Sequence, residues 1–184
     1  MNVKKIVCFV FVCYLLAGAT TNTLAQKPIW HDGGVNHTKG ISNFGISYGR
    51  SLRSNLFIGS YGRYMTNKWI FNVNAMYENG QYELTHLDGY YVSSGFDRTL
   101  FKVKDFMYFN TGLAAYIGGE NLSAPELGET KNSFVFGAAG NVNVELFIFT
   151  QFLVQVKAEK YYSPTSKLGH FFDVYSVGLR YCFY

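Results

Sequence analysis

Charged residues are scarce in this sequence: Asp, Glu, Lys and Arg make up 15% of its 184 residues, against about a quarter in an ordinary soluble domain. Water is therefore not the obvious solvent for the whole surface. The formal charge of +4 falls to +2 once Lys4 and Lys5 leave with the leader described below. With no clustered Lys/Arg face, direct nucleic-acid binding is not expected. Cysteine is almost absent from the mature chain, because Cys8 and Cys13 lie in that leader and only Cys182 follows. An internal disulfide is excluded in an exported, oxidising setting. Cys182 has no sequence-local His or acid and reads as a small strand residue rather than a reactive thiol. The four histidines, His31, His37, His86 and His170, show no paired ligand spacing, so most of them read as loop or terminal residues and no metal is expected. Gly118, Gly119 and Gly137 lack the Lys and following helix of a phosphate cradle, and no cofactor is expected.

Beyond the first 25 residues no apolar run approaches the roughly 20 residues of a membrane-spanning helix. Only helices and closed barrels satisfy every backbone group in lipid, so entry into a membrane would require a barrel. The first 25 residues read as a secretory signal peptide: a basic start at Lys4 and Lys5, an apolar stretch from Ile6 to Ala17, and a small-residue approach to Ala25. That apolar stretch is too short for an anchoring helix, and neither Cys8 nor Cys13 sits in a lipoprotein context. The expected organisation is residues 1–25 as signal peptide, 26–39 as a periplasmic arm and 40–184 as one barrel domain.

What the sequence does contain is hydrophobic alternation: 48% hydrophobic and 18% aromatic residues, arranged with a period of two. From Ser133 to Leu146, Phe134, Phe136, Ala138, Val142, Val144 and Leu146 share one parity, opposite Gly137, Ala139, Asn141, Asn143 and Glu145. Gln151 to Tyr161 and Phe171 onward keep the same rule. Less clear segments are Ile41 to Gly49, Leu56 to Met65, Trp69 to Glu78, Gly89 to Phe101 and Met107 to Ile117. The weakest is Leu56 to Met65, where Phe57, Tyr61 and Arg63 share a face. Eight strands make the smallest common outer-membrane barrel, antiparallel and up-and-down. Short links at Thr66–Lys68, Lys102–Lys104 and Phe147–Thr150 alternate with longer ones at Asn79–His86, Gly119–Lys131 and Ser163–Gly169. That is the sidedness of short periplasmic turns and long outer loops, with both termini periplasmic. A water-soluble barrel of lipocalin type would show the same period with the bulky parity turned inward. Polar and small residues on the lesser parity favour the membrane form.

An eight-stranded barrel has an interior just wide enough for side chains to fill. Arg63, Glu78, Asn141, Asn143, Glu145, Gln155, Lys157, Glu159 and Arg180 are therefore expected to form an interior polar network, with a conducting pore as the alternative. A tight turn near Phe149 would set Asn143 opposite Gln155 and Asn141 opposite Lys157. Trp30, in the arm, is a candidate for docking a partner. The alternation Tyr175, Val177, Leu179, Tyr181, Phe183 is the kind of closing strand that barrel-assembly machinery reads. No catalytic constellation stands out. A barrel enzyme acting on lipids would need a rim His such as His86 or His170 with Ser and Asp converging on it.

The stretches Thr111-Gly112-Leu113-Ala114-Ala115, Gly118-Gly119-Glu120 and Asn132-Ser133-Phe134-Val135-Phe136-Gly137-Ala138-Ala139-Gly140 carry a resemblance. It continues through Glu145, Phe152-Leu153-Val154 and the closing Val177-Gly178-Leu179-Arg180-Tyr181. Together with the length, the leader and the Gln26 start, these resemble the conjugative transposon TraO proteins of Bacteroidetes-type bacteria. The resemblance implies a non-enzymatic, structural part in an outer-membrane, type IV secretion-like transfer apparatus. Its partners would be outer-membrane lipid and other conjugation proteins. A general small barrel for adhesion or envelope stability is the alternative.

Overall fold

The computed structural model describes residues 37–82, 85–124, 129–149 and 151–183. The expected leader, the arm before His37 with Trp30, and Tyr184 lie outside the described residues. Eight antiparallel strands form one closed sheet: β1 (Ser42–Arg50), β2 (Ser54–Tyr64), β3 (Trp69–Tyr82), β4 (Thr85–Val103), β5 (Met107–Ala124), β6 (Glu129–Phe147), β7 (Phe152–Tyr162) and β8 (Phe171–Phe183). Each strand pairs with the next, and β1 pairs with β8 from Ser42↔Phe183 to Arg50↔Tyr175. Closure leaves no row of unpaired backbone groups, the condition for a sheet to sit in hydrocarbon.

The bulky parity faces out. Ile46, Leu113, Phe134, Phe171 and Tyr175 are each more than 60% exposed, while Asn72, Asn74, Asn141, Asn143 and Gln155 are buried. A water-soluble barrel would have these reversed, since a large contiguous apolar surface is not tolerated in water. The alternation is therefore that of a transmembrane β-barrel.

The end bearing the first residue of β1 and the last of β8 also carries the β2–β3, β4–β5 and β6–β7 turns, all short. At the far end the strands run on beyond the sequence expectation. The links at Asn79–His86 and Gly119–Lys131 are largely β-ladder, with Tyr82 paired to Thr85 and Ala124 to Glu129. There the outward face turns polar, as at Asn79, Gln81, His86 and Asp88, while Leu87 stays buried on the inward face, so the apolar-outward period fades although the backbone pairing continues. Strands β4, β5 and β6, at 19, 18 and 19 residues, exceed the roughly 9–11 residues that cross a bilayer, and their hairpins project past it.

Two local features adjust the pattern. A bulge between Thr99 and Phe101 on β4 inserts Leu100, so that Leu100 and Phe101 both face out. The β6–β7 turn is centred one residue later than the sequence reading places it, which moves the register by two. Glu145 pairs with Gln155, Asn143 with Lys157 and Asn141 with Glu159. A slip of two preserves which side chains face inward, and the expected set survives it.

Candidate functional site: a barrel filled and closed at both mouths

The interior is layered along the barrel. An apolar layer near the far end contains Leu56, Ile58, Met76, Tyr91, Tyr116, Val135, Tyr161 and Val174, and a second, at the terminus-bearing end, contains Ile41, Tyr64, Ile70, Leu153 and Cys182. Polar side chains fill the space between the layers and the far mouth.

In the middle belt Asp97 accepts hydrogen bonds from the amides of Asn72 (3.0 Å), Asn141 (2.9 Å) and Asn143 (3.1 Å). Arg180 Nη1 donates to Asn43 Oδ1 at 3.1 Å and Asn72 Oδ1 at 3.2 Å. Gln155 Nε2 donates to Asn143 Oδ1 and Glu145 Oε1, both at 3.3 Å. Lys157 Nζ lies 2.7 Å from Glu159 Oε1. Such mutual pairing is what allows charge to be buried at all. The chain is also small where it must be. A Cβ added at Gly112 would overlap Asp97 Oδ1 and stand 2.8 Å from Asn141 Nδ2, so glycine is what lets the Asp97 hub reach across to β6.

The far mouth is closed by Arg53, from the turn between β1 and β2. Its Nε lies 2.9 Å from Glu78 Oε1, and its Nη2 lies 3.1 Å from Glu78 Oε2 and 3.3 Å from Glu120 Oε1. The guanidinium also covers the Phe172 ring at 3.9 Å. Tyr91 donates to Glu78 Oε2 at 2.6 Å, and Ser54 donates to the other oxygen of the same carboxylate. Ser166 reaches in from the β7–β8 loop, its hydroxyl 3.0 Å from Glu120 Oε2. That loop is anchored in turn by Ser163 Oγ, which donates to the Phe136 carbonyl at 3.1 Å.

The opposite mouth is closed by His37, immediately before β1. Its ring lies flat on Tyr108, with centroids 3.7 Å apart and planes 6° apart. Nε2 is 2.7 Å from Glu145 Oε2, and Nδ1 is 3.1 Å from Thr99 Oγ1. Tyr64 donates to the same Glu145 oxygen at 3.2 Å.

Of the nine residues expected inside, Glu78, Asn141, Asn143, Glu145, Gln155, Lys157, Glu159 and Arg180 are buried there. Arg63 is not: it is exposed on the outward parity with Phe57 and Tyr61, because Leu56 and Ile58 take the interior positions of β2. His37 lies in the turn before β1, outside any strand, with its ring nonetheless buried over the lumen. Sequence reasoning also missed Arg53, Asp97 and Glu120. The parity of Gly95 and Asp97 against Phe96 and Arg98 could have revealed Asp97; Arg53, in a link, carried no periodic signal.

At the far rim His86 Nε2 lies 3.4 Å from Asp88 Oδ2, and His170 Nδ1 lies 3.1 Å from the Ser163 carbonyl oxygen. Among the described residues neither ring is hydrogen-bonded to a hydroxyl. Among the same residues no three His, Cys, Asp or Glu side chains are placed to hold a metal ion.

An outward apolar band, a closed seam and a side-chain-filled lumen define a small barrel of the outer-membrane class. The chain belongs to the conjugative transposon protein TraO family, whose model matches residues 48–183. Three solved barrels share the architecture. The attachment invasion locus protein Ail of Yersinia pestis is 18% identical with a TM-score of 0.56, over 79% of this chain and 100% of that one. OprG of Pseudomonas aeruginosa is 12% identical with a TM-score of 0.57, over 81% and 98%. Neisserial surface protein A is 12% identical with a TM-score of 0.58, over 77% and 94%. No curated protein matches the chain. At these identities the three barrels speak for fold alone.

Proposed function

We propose that this protein is a structural, non-enzymatic outer-membrane component of a conjugative transfer apparatus. Membership of the TraO family carries the reading. The geometry supports it in kind, since a lumen filled by paired side chains and capped at both mouths suits an anchor better than a conduit or a catalyst. In this reading the signal peptide exports the chain, and the closing strand, Phe171–Phe183, is recognised by the barrel-assembly machinery. Both mature termini lie in the periplasm, where the arm, with Trp30 as its docking residue, contacts other conjugation proteins.

The test is deletion of the gene in a donor strain, with mating frequency and envelope permeability measured together. Transfer is expected to fall to background with permeability unchanged, to return with the intact gene, and to return only in part with Trp30→Ala. Undiminished transfer accompanied by a leaky envelope would instead establish a general barrel for envelope stability.

A further inference from the structure

The terminus-bearing end differs from the far end in the sign of its surface charge. Among the described residues, Lys39, Arg63, Lys68, Arg98, Lys102 and Lys104 lie there against Asp105 alone, an excess of five where the whole chain has +4. Lys102 is paired with Asp105 at 2.8 Å. At the far end the signs are mixed, as in Lys160 with Asp173 at 3.6 Å. Nor does the excess encircle the terminus-bearing end, because the β6–β7 turn presents Ile148 and Phe149, 56% and 68% exposed. The cations occupy the β2–β5 sector.

Within that sector an open cleft of about 410 Å³ is lined by Lys39, Thr66, Asn67, Lys68, Trp69 and Arg98. Trp69 is 44% exposed, and the Arg98 guanidinium carbon lies 5.7 Å from its ring centre. Position relative to the apolar wall narrows the choice of partner. Arg98 follows Phe96 on the same outward parity, and Arg63 pairs across the ladder with Phe71. The cationic groups thus begin where the hydrocarbon-facing wall ends, with an indole at the boundary, as aromatic side chains lie at a membrane interface. A surface for nucleic acid or an acidic protein would need its cations directed into the aqueous space, not continuing the lipid-facing rows.

We propose that this cleft is a binding site for an anionic phospholipid, its phosphate held by Lys39, Lys68 and Arg98 and its acyl chains lying along Phe71 and Phe96. The site rests on the membrane-spanning reading of the barrel and adds a head-group preference to it.

Tryptophan makes the site readable, since the chain has only Trp30 and Trp69. In the mature protein carrying Trp30→Phe, reconstituted in phosphatidylcholine vesicles, Trp69 fluorescence is titrated with acyl-brominated phosphatidylglycerol or acyl-brominated phosphatidylcholine. Preferential quenching by phosphatidylglycerol is expected, and Lys68→Ala with Arg98→Ala should reduce that preference by at least about fivefold, the effect of one cation near an anionic surface. Equal quenching by the two lipids, or a preference retained in the double variant, overturns the site while leaving the membrane reading intact. No quenching by either lipid overturns both. A single-stranded oligonucleotide is the further probe: binding that the double variant loses, without any lipid preference, would assign the cations to nucleic acid instead.

Discussion

Removing the Arg53 guanidinium would leave Glu78 and Glu120 facing each other at the far mouth with only hydroxyl donors. Breaking a buried pair by deleting one partner costs about 3–5 kcal/mol, so Arg53→Ala should lower the unfolding free energy of the refolded barrel, extrapolated from urea denaturation, by that order. Arg63→Ala, on the exposed face, should change stability by less than about 0.5 kcal/mol. Equal losses from the two variants would mean that the Arg53 cluster is solvated. In the middle belt, Lys157→Ala strips Glu159 of its ammonium partner at 2.7 Å and should reduce thermal stability without raising conductance. The contrast between the two arginines also shows what sequence could reveal. On β2 the interior positions Leu56 and Ile58 are as apolar as the lipid-facing Phe57, so the period-two signal that separates inside from outside elsewhere was nearly silent there. Nothing in the pattern of β2 therefore marks Arg63 as facing outward. Arg53 and His37 precede their strands, where no alternation exists to read, and only the closed sheet brings them over the lumen.

For strands, legibility followed the contrast between faces. Where β6 sets Phe134, Phe136 and Val142 against Asn141, Asn143 and Glu145, both the element and its orientation were plain. Register was harder, because moving the turn by one residue shifts the pairing by two and leaves both faces chemically unchanged. The observed register has a direct check in a background with Cys182→Ala. Val144 and Val156 pair directly, and antiparallel partners lie about 4.5–5.5 Å apart between Cα atoms, within reach of a disulfide. The double variant Val144→Cys, Val156→Cys should cross-link under mild oxidation and migrate faster on denaturing gels. Val142→Cys with Val156→Cys, the pair implied by a turn centred on Phe149, should not. The reverse outcome would establish the register with the turn centred on Phe149. The far-end hairpins escape the sequence reading for a different physical reason: above the bilayer the outward face meets water and turns polar at Asn79, Gln81, His86 and Asp88, so the apolar-outward alternation stops while the ladder goes on.

As a whole, the molecule is sealed twice, by the Arg53–Glu78–Glu120–Ser166 cluster and by the His37–Tyr108–Glu145 stack. Purified barrel in a planar bilayer should therefore show no stepwise conductance, and sustained unitary openings in the wild-type protein would contradict that closure. The second seal has a mechanical consequence. Chain N-terminal to His37 connects to a residue lodged in the lumen, and the sheet begins only after the Gly40 amide donates to the Tyr64 carbonyl at 2.8 Å. Tension from anything attached upstream would be borne first by one imidazole wedged between a carboxylate and a phenol, so the stopper would yield before the staves of the barrel felt the load.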